Sequence, residues 1–197
     1  MLIGLHGKKQ AGKDTVYERA AHIMRGVVPV ERASFADLLY RSAAAALGVS
    51  EEFLREHKSD PRYTVVVMVP GPRGPVPFRM QTLREFLQRY GTEAHRDVFG
   101  ENFWVECVRL AHEGRIVMVT DVRFKNEAET VRRAGGAVVH VVGPTEIEEA
   151  GDGHASEATL SPGLIDAVLR NDVRDDNFRA LDRQVDTLLR LGLGGSL

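Results

Sequence analysis

Between residues 7 and 15 the chain reads Gly7-Lys8-Lys9-Gln10-Ala11-Gly12-Lys13-Asp14-Thr15. A glycine, four residues, then Gly-Lys is the spacing of a loop whose backbone N–H groups converge on phosphate oxygens. A helix opening at Lys13 would turn its positive N-terminus toward the same anion, and the Lys13 ammonium can reach the β- and γ-phosphates. Gly7, Lys8, Ala11, Gly12, Lys13, Asp14 and Thr15 are therefore expected to hold a nucleoside triphosphate. A hydroxyl that contacts Mg²⁺ usually follows the lysine. Asp14 stands there, so Asp14 or Thr15 must take that role, directly or through water. A carboxylate beside phosphates repels them unless a cation intervenes, which predicts strong Mg²⁺ dependence.

Other residues carry the charge that phosphate chemistry needs. Asp121 ends an apolar run, residues 116–119, where a carboxylate is costly without a partner. It suits Mg²⁺-associated water or substrate, and it could also cap the next helix. Arg84, Arg96 and Arg123 have planar forks that match phosphate geometry. Each also has a plainer role. Arg84 and Gln88 lie one turn apart off an apolar stripe and could be solvated. Arg96 could pair with Glu93. Arg123 and Glu127 stand at i, i+4, which could be a surface ion pair. Phe35 and Asp37 follow a short strand and could line a base or sugar pocket.

The elements that must position these residues alternate. Residues 2–5 form an apolar run ending at Gly7, as a buried parallel strand would, and residues 15–24 carry a helical stripe of Val16, Ala20, Ile23 and Met24. A strand is expected within 27–34, helices over 37–47 and 50–57, and a further helix beginning at Thr82 and ended by Gly91. Trp104, Cys107, Val108 and Ala111 mark another helix, with Trp104 read as core. Residues 115–120 and 137–142 read as central strands flanking a helix on Phe124, Ala128 and Val131. A last strand at 165–169 precedes a helix striped by Phe178, Leu181, Val185, Leu188 and Leu189. Such alternation predicts an α/β fold: a three-layer parallel sheet with helices on both faces, whose ligands collect at the carboxyl ends of strands. The chain is expected to be a single domain, 1–197. Residues 63–80, interrupted by Pro70-Gly71-Pro72-Arg73-Gly74-Pro75, read as a hairpin insertion, and 143–157 as a lid.

Whole-chain properties narrow the classes. A formal net charge of −2 argues against a partner of polymeric nucleic acid. One cysteine excludes an internal disulfide framework and fits a cytoplasmic setting. No signal peptide or membrane-length apolar run is read. No Asn-Lys-x-Asp guanine motif is present, which counts against a GTPase switch.

Five stretches, in order, resemble the bacteriophage-type deoxynucleoside monophosphate kinases: GLHGKKQAGKDT (4–15), SFADLL (34–39), LREFLQRYGTEAHR (83–96), TDVRFKNE (120–127) and HASE (154–157). The Gly-Lys-Asp-Thr ending, unusual for this loop elsewhere, is usual in that family. The resemblance implies a P-loop nucleoside-monophosphate-kinase-like fold, with ATP as phosphoryl donor, Mg²⁺ as metal and a deoxynucleoside monophosphate as acceptor. It gives Lys13, Arg84 and Arg123 catalytic roles, makes Glu127 the orienter of Arg123, and assigns substrate contacts to Phe35, Asp37, Arg84, Gln88, Arg96, Asp121, Arg123 and Glu127. Asp14, Thr15 and Asp121 become the metal candidates. A host cytoplasm is implied if the gene is phage-borne, and a homodimer is compatible. Two departures stand out: Tyr40 and Arg41 lie where the family often has a lysine, and residues 143–153 contain no arginine for the transferring phosphate. The competing readings are a P-loop kinase for another small acceptor, such as dephospho-coenzyme A or phosphomevalonate, and a non-catalytic nucleotide-binding regulator.

Overall fold

The computed structural model describes residues 1–112, 114–144, 160–171 and 178–192. By its internal contacts the chain divides into two compact units, Met1–Phe35 with Val105–Leu197, and Ala36–Trp104.

The first unit is built on five strands: β1 (Leu2–His6), β2 (Val30–Ala33), then, after the second unit, β5 (Ile116–Val119), β6 (Ala137–Val142) and β7 (Ala167–Arg170). Their order is β2-β5-β1-β6-β7 and every pairing is parallel. β1 is hydrogen-bonded on both edges and all five of its residues are buried, which is why it reads as a continuous apolar run rather than an alternating one. Side chains alternate across it. Ile3 and Leu5 join one core with Val16 and Ala20 of α1 (Lys13–Ile23) and Leu181, Val185 and Leu189 of the C-terminal helix (Arg179–Gly192). Gly4 faces the opposite way. A Cβ there would lie 2.9 Å from Val122 and 3.3 Å from Val131 of the helix Lys125–Arg133. Helices therefore cover both faces of a parallel sheet, as the alternation predicts.

Close backbone approach fixes the turn into β6. A side chain on Gly136 would run into the Leu2 carbonyl, and its Cβ would lie 2.9 Å from that of Val131. The C-terminal helix is held against α1 by a bidentate pair. Arg19 Nε donates to Asp182 Oδ1 at 2.6 Å and Arg19 Nη2 to Oδ2 at 2.7 Å.

The second unit contains α2 (Phe35–Leu47, of which Phe35 belongs to the first unit), α3 (Glu51–His57), an antiparallel hairpin of β3 (Thr64–Val69) and β4 (Val76–Thr82), and α4 (Leu83–Gly91). Its core joins Tyr40, Ala43, Ala44, Leu54, Leu83 and Leu87. Two helix starts are local and legible. Ser50 Oγ accepts the Phe53 N–H at 3.1 Å, and Thr82 with Glu85 forms a reciprocal capping box. Gly91 does not stop the helical path as its type suggests. A π-helical turn, Thr92–Arg96, carries it on, and the short α5 (Asp97–Phe99) follows. Gly91 instead makes room for Leu39, whose side chain would lie 3.2 Å from a Cβ there. Its carbonyl accepts the indole N–H of buried Trp104 at 3.0 Å. Trp104 stands in α6 (Phe103–Ala111) as a core residue. The helix Lys125–Arg133 is α7 and Arg179–Gly192 is α8. No helix among the described residues is long and apolar enough to cross a membrane.

The Arg19–Asp182 pair makes an acid-limb prediction. Two charge-assisted bonds from the guanidinium hold the Asp182 carboxyl below the ordinary carboxylate range. A depressed folded pKa gives stability that is present above the unfolded value and lost as pH falls through the folded one. In urea titrations from about pH 5 down to about pH 2, wild type should lose up to about 1 kcal/mol that Asp182→Asn does not lose.

Candidate active site

The loop between β1 and α1 is shaped by three residues in left-handed backbone: Gly7 at φ 149°, Gln10 at φ 66° and Gly12 at φ 89°. Two of the three are the glycines of the phosphate-loop spacing, where a side chain would be strained whatever the space. There is no space either. A Cβ on Gly7 would strike the Val141 carbonyl, and one on Gly12 would strike the Asn171 amide. Gly12 is the residue before α1, and its carbonyl accepts the Val16 N–H at 3.0 Å, so the helix begins directly from the loop. The loop amides and the α1 dipole are thereby gathered at the carboxyl end of the central strand.

Lys13 folds back across this loop. Its ammonium donates to the carbonyls of Gly7 and Lys8, each at 2.8 Å. A turn bond from Ala11 N–H to Lys8 O, at 3.2 Å, closes the loop behind it. Asp14, mostly exposed, accepts Arg32 Nε at 2.8 Å. Thr15 is half-buried and its hydroxyl lies 3.7 Å from where a Gly12 Cβ would be, beside the loop backbone.

Asp121 follows β5 and accepts hydrogen bonds from the Ser34 hydroxyl at 2.8 Å and the Phe35 N–H at 2.9 Å. It thus ties the end of β5 to the start of α2, and Thr120 N–H to Ala33 O, at 3.0 Å, makes a second tie. The Phe35 side chain is buried. Glu127 is buried as well. Its carboxylate accepts the backbone N–H groups of Arg123 at 2.8 Å and Phe124 at 3.0 Å. The i, i+4 spacing suggests contact between the two side chains, but what these bonds fix is the Arg123 backbone, at the turn before α7. The Arg123 guanidinium is exposed and has no ion-pair partner among the described residues.

The remaining candidates lie in the second unit. Asp37, in the first turn of α2, accepts Arg55 at 2.6 Å. Arg84 and Gln88 are exposed, one turn apart on α4, opposite the buried Leu83 and Leu87. Arg84 donates to Ser59 Oγ at 2.7 Å and meets no carboxylate among the described residues. Arg96 closes the π turn, while Glu93 is taken by Arg89 at 2.7 Å rather than by Arg96. Residues 145–159 lie outside the described residues, and with them most of the expected lid and the HASE stretch.

The architecture and the loop admit several phosphate chemistries. A family comparison chooses among them: the deoxynucleotide monophosphate kinase model matches residues 79–181, more than half of the chain. The chain belongs to that family. It is a kinase, a phosphotransferase. Over 190 residues it is 28% identical to a protein of Acanthamoeba polyphaga mimivirus named as a deoxynucleotide monophosphate kinase, covering 90% of this chain and 92% of that one. It is 27% identical over 179 residues to the deoxynucleoside-5′-monophosphate kinase of Escherichia phage T5, covering 67% and 72%. A 115-residue match at 30% identity to the enzyme of Escherichia phage RB69 covers 55% of this chain and 45% of that one. Family membership implies a nucleotide phosphoryl donor and a nucleoside monophosphate acceptor.

Arg32 in this kinase was not expected from its sequence, because its partner Asp14 is eighteen residues away and the pairing depends on where β2 lies. Asn171 was not among the candidate site residues. In the structure it is buried, donates from Nδ2 to Ala11 O at 3.1 Å, and supports the loop from behind. The alternation that puts Val30 and Arg32 on one face of β2 is the signal that could have drawn attention to Arg32.

Glu127 gives a direct test of how the Arg123 turn is held. Glu127→Ala leaves two backbone donors without their acceptor and should cost about 1–3 kcal/mol in urea denaturation. Glu127→Gln keeps an accepting oxygen and should cost about half of that or less.

Proposed function

We propose that the enzyme transfers the γ-phosphoryl group of ATP, with Mg²⁺, to the phosphate of a deoxynucleoside 5′-monophosphate, giving the diphosphate and ADP. The observation that carries this reading is the left-handed Gly12 turn into α1, with the Lys13 ammonium folded over the loop, in a chain of this kinase family. A nucleotide-synthesis role of this kind belongs in the cytoplasm, where such substrates are found.

The nucleophile is an oxygen of the acceptor's own phosphate, whose second pKa is about 6. It is largely ionised at neutral pH, so no side chain has to remove a proton. Catalysis then consists of alignment and of charge neutralisation among crowded phosphates. Gly7, Lys8, Ala11, Gly12 and Thr15 hold the donor's phosphates, with Lys13 moving from the loop carbonyls onto phosphate oxygens. Arg123 contacts the transferring group from a turn that Glu127 fixes. Arg84, Gln88 and Arg96 bind the acceptor phosphate, and Phe35 and Asp37 shape the acceptor side.

The residues present fit a metal ion carried in by the nucleotide rather than one held in a protein cage. No cluster of three or more His, Cys, Asp or Glu ligands occurs among the described residues. The Thr15 hydroxyl stands beside the loop, and Asp121 is a carboxylate at a strand end whose two oxygens accept from Ser34 and Phe35. Thr15 and Asp121 would hold such an Mg²⁺ together with the nucleotide's phosphates, and it would supply neutralising charge there. Asp14, the third candidate, already accepts Arg32.

A coupled assay for ADP, run with ATP and Mg²⁺ against each of the four common deoxynucleoside monophosphates, tests the proposal. ADP should form with at least one of them, and chelating the metal should stop it. Arg123→Ala should lower kcat roughly a hundredfold or more while leaving the fold intact. No acceptor-dependent ADP with any of the four, under saturating ATP, overturns the reading.

A further inference from the structure

The phosphate loop contains a conspicuous charge problem. Asp14 puts a carboxylate in the first turn of the helix whose N-terminus is to receive a polyanion. Its partner is Arg32 of β2, whose Nε donates to Asp14 Oδ1 at 2.8 Å. Val30 and Arg32 share a face of β2. Val30 packs in the core under α1, so Arg32 rises on the α1 side of the sheet, just beyond that core.

Stability does not account for this pair. The side chains are 39% and 67% exposed, and ion pairs so open to solvent contribute little. What the pair does is geometric. A bond through Nε fixes the plane of a guanidinium, and the anchor is the residue directly after Lys13. The fork is thereby held at the loop's mouth, on the side of the first α1 turn, where the outermost phosphate of a bound triphosphate would project. The segment 143–153, which follows β6 in the sequence, contains no arginine.

We propose that Arg32 contacts the γ-phosphoryl group of the donor during transfer, and that Asp14 is the positioning residue that aims it. The proposal rests on the reading of a nucleoside triphosphate as donor. As the bond from the acceptor oxygen to the γ-phosphorus forms and the bond from that phosphorus to the β,γ-bridging oxygen breaks, charge accumulates on the bridging oxygen that leaves with ADP. The Arg32 guanidinium neutralises charge on the group in flight, and no proton changes place. Asp14 in turn has a use for its carboxylate that the usual hydroxyl could not supply.

Binding measurements without any acceptor test this separately from the identity of the acceptor. Wild type, Arg32→Ala, Arg32→Lys and Asp14→Asn are titrated calorimetrically with AMP-PNP and with ADP, both with Mg²⁺, and kcat is measured on any acceptor the wild type uses. Arg32→Ala should weaken AMP-PNP about tenfold or more and change ADP by less than about twofold, with kcat down about a hundredfold. Arg32→Lys should recover part of the AMP-PNP affinity but not the full rate, since a point charge replaces a planar fork. Asp14→Asn should lower AMP-PNP affinity less than Arg32→Ala does. All variants should melt within about 3 °C of wild type, as an exposed pair allows. Equal losses for AMP-PNP and ADP, or no loss for either, overturn the contact. An Asp14→Asn protein with undiminished AMP-PNP affinity and rate overturns the positioning role. If Arg32→Ala does not fold, the Arg32→Lys ratio of AMP-PNP to ADP affinity decides by the same criterion.

Discussion

A loop can bind phosphate only if its amides are turned outward and kept there before the ligand arrives. Here the ends of neighbouring strands press on the loop's backbone from behind. The Val141 carbonyl leaves no room for a side chain on Gly7. The Asn171 amide leaves none on Gly12. A Cβ on Gly143, just past β6, would come within 2.6 Å of Ala11 Cα. Asn171 adds a directional contact by donating to Ala11 O, while its own backbone N–H goes to Val142 O at 2.9 Å. The loop is thus wedged by β6 and β7 rather than held by its own turns alone. Asn171 Oδ1 is buried without a hydrogen-bond partner among the described residues.

The rest of the first unit follows from the strand order. With β1 central and all five strands parallel, every carboxyl end opens on one edge, so β1, β2 and β5 deliver Lys13, Arg32 and the pair Asp121 and Arg123 to one end of the sheet. Asp121 secures the β2 end through Ser34 and Phe35, and Glu127 secures the turn that presents Arg123. Half-buried Asp121 and buried Glu127 thus hold backbone and hydroxyl groups, while Arg32 and Arg123 stay exposed. The second unit keeps Arg84 and Gln88 exposed on one face of α4 by burying Leu83 and Leu87 on the other.

Much of this was readable in the linear sequence. The phosphate loop, the central strands β1, β5 and β6, and the starts of α3 and α4 depend on glycine placement, apolar runs and caps within a few residues of one another. The parallel sheet followed from their alternation. What could not be read depends on residues far apart in the chain. The Asp14–Arg32 pair requires α1 to lie along β2, and the support from Asn171 requires β7 to reach the loop through β6. Gly91 misled because glycine is a common helix stop, whereas here its small size serves packing against Leu39 while the chain continues as a π turn. Glu127 carries the spacing of a surface ion pair, but burial turned its carboxylate toward backbone N–H groups. The family resemblance had already selected the right kind of kinase, and the family comparison bears it out.

If strand ends hold the phosphate loop in its binding shape, loosening one of those contacts weakens nucleotide binding. Calorimetric titration of Asn171→Ala with ATP and Mg²⁺, compared with wild type, tests it most directly. ATP affinity should fall about tenfold or more, while a protein still melting cooperatively binds the acceptor monophosphate as before. An Asn171→Ala protein that binds ATP as tightly as wild type would contradict it.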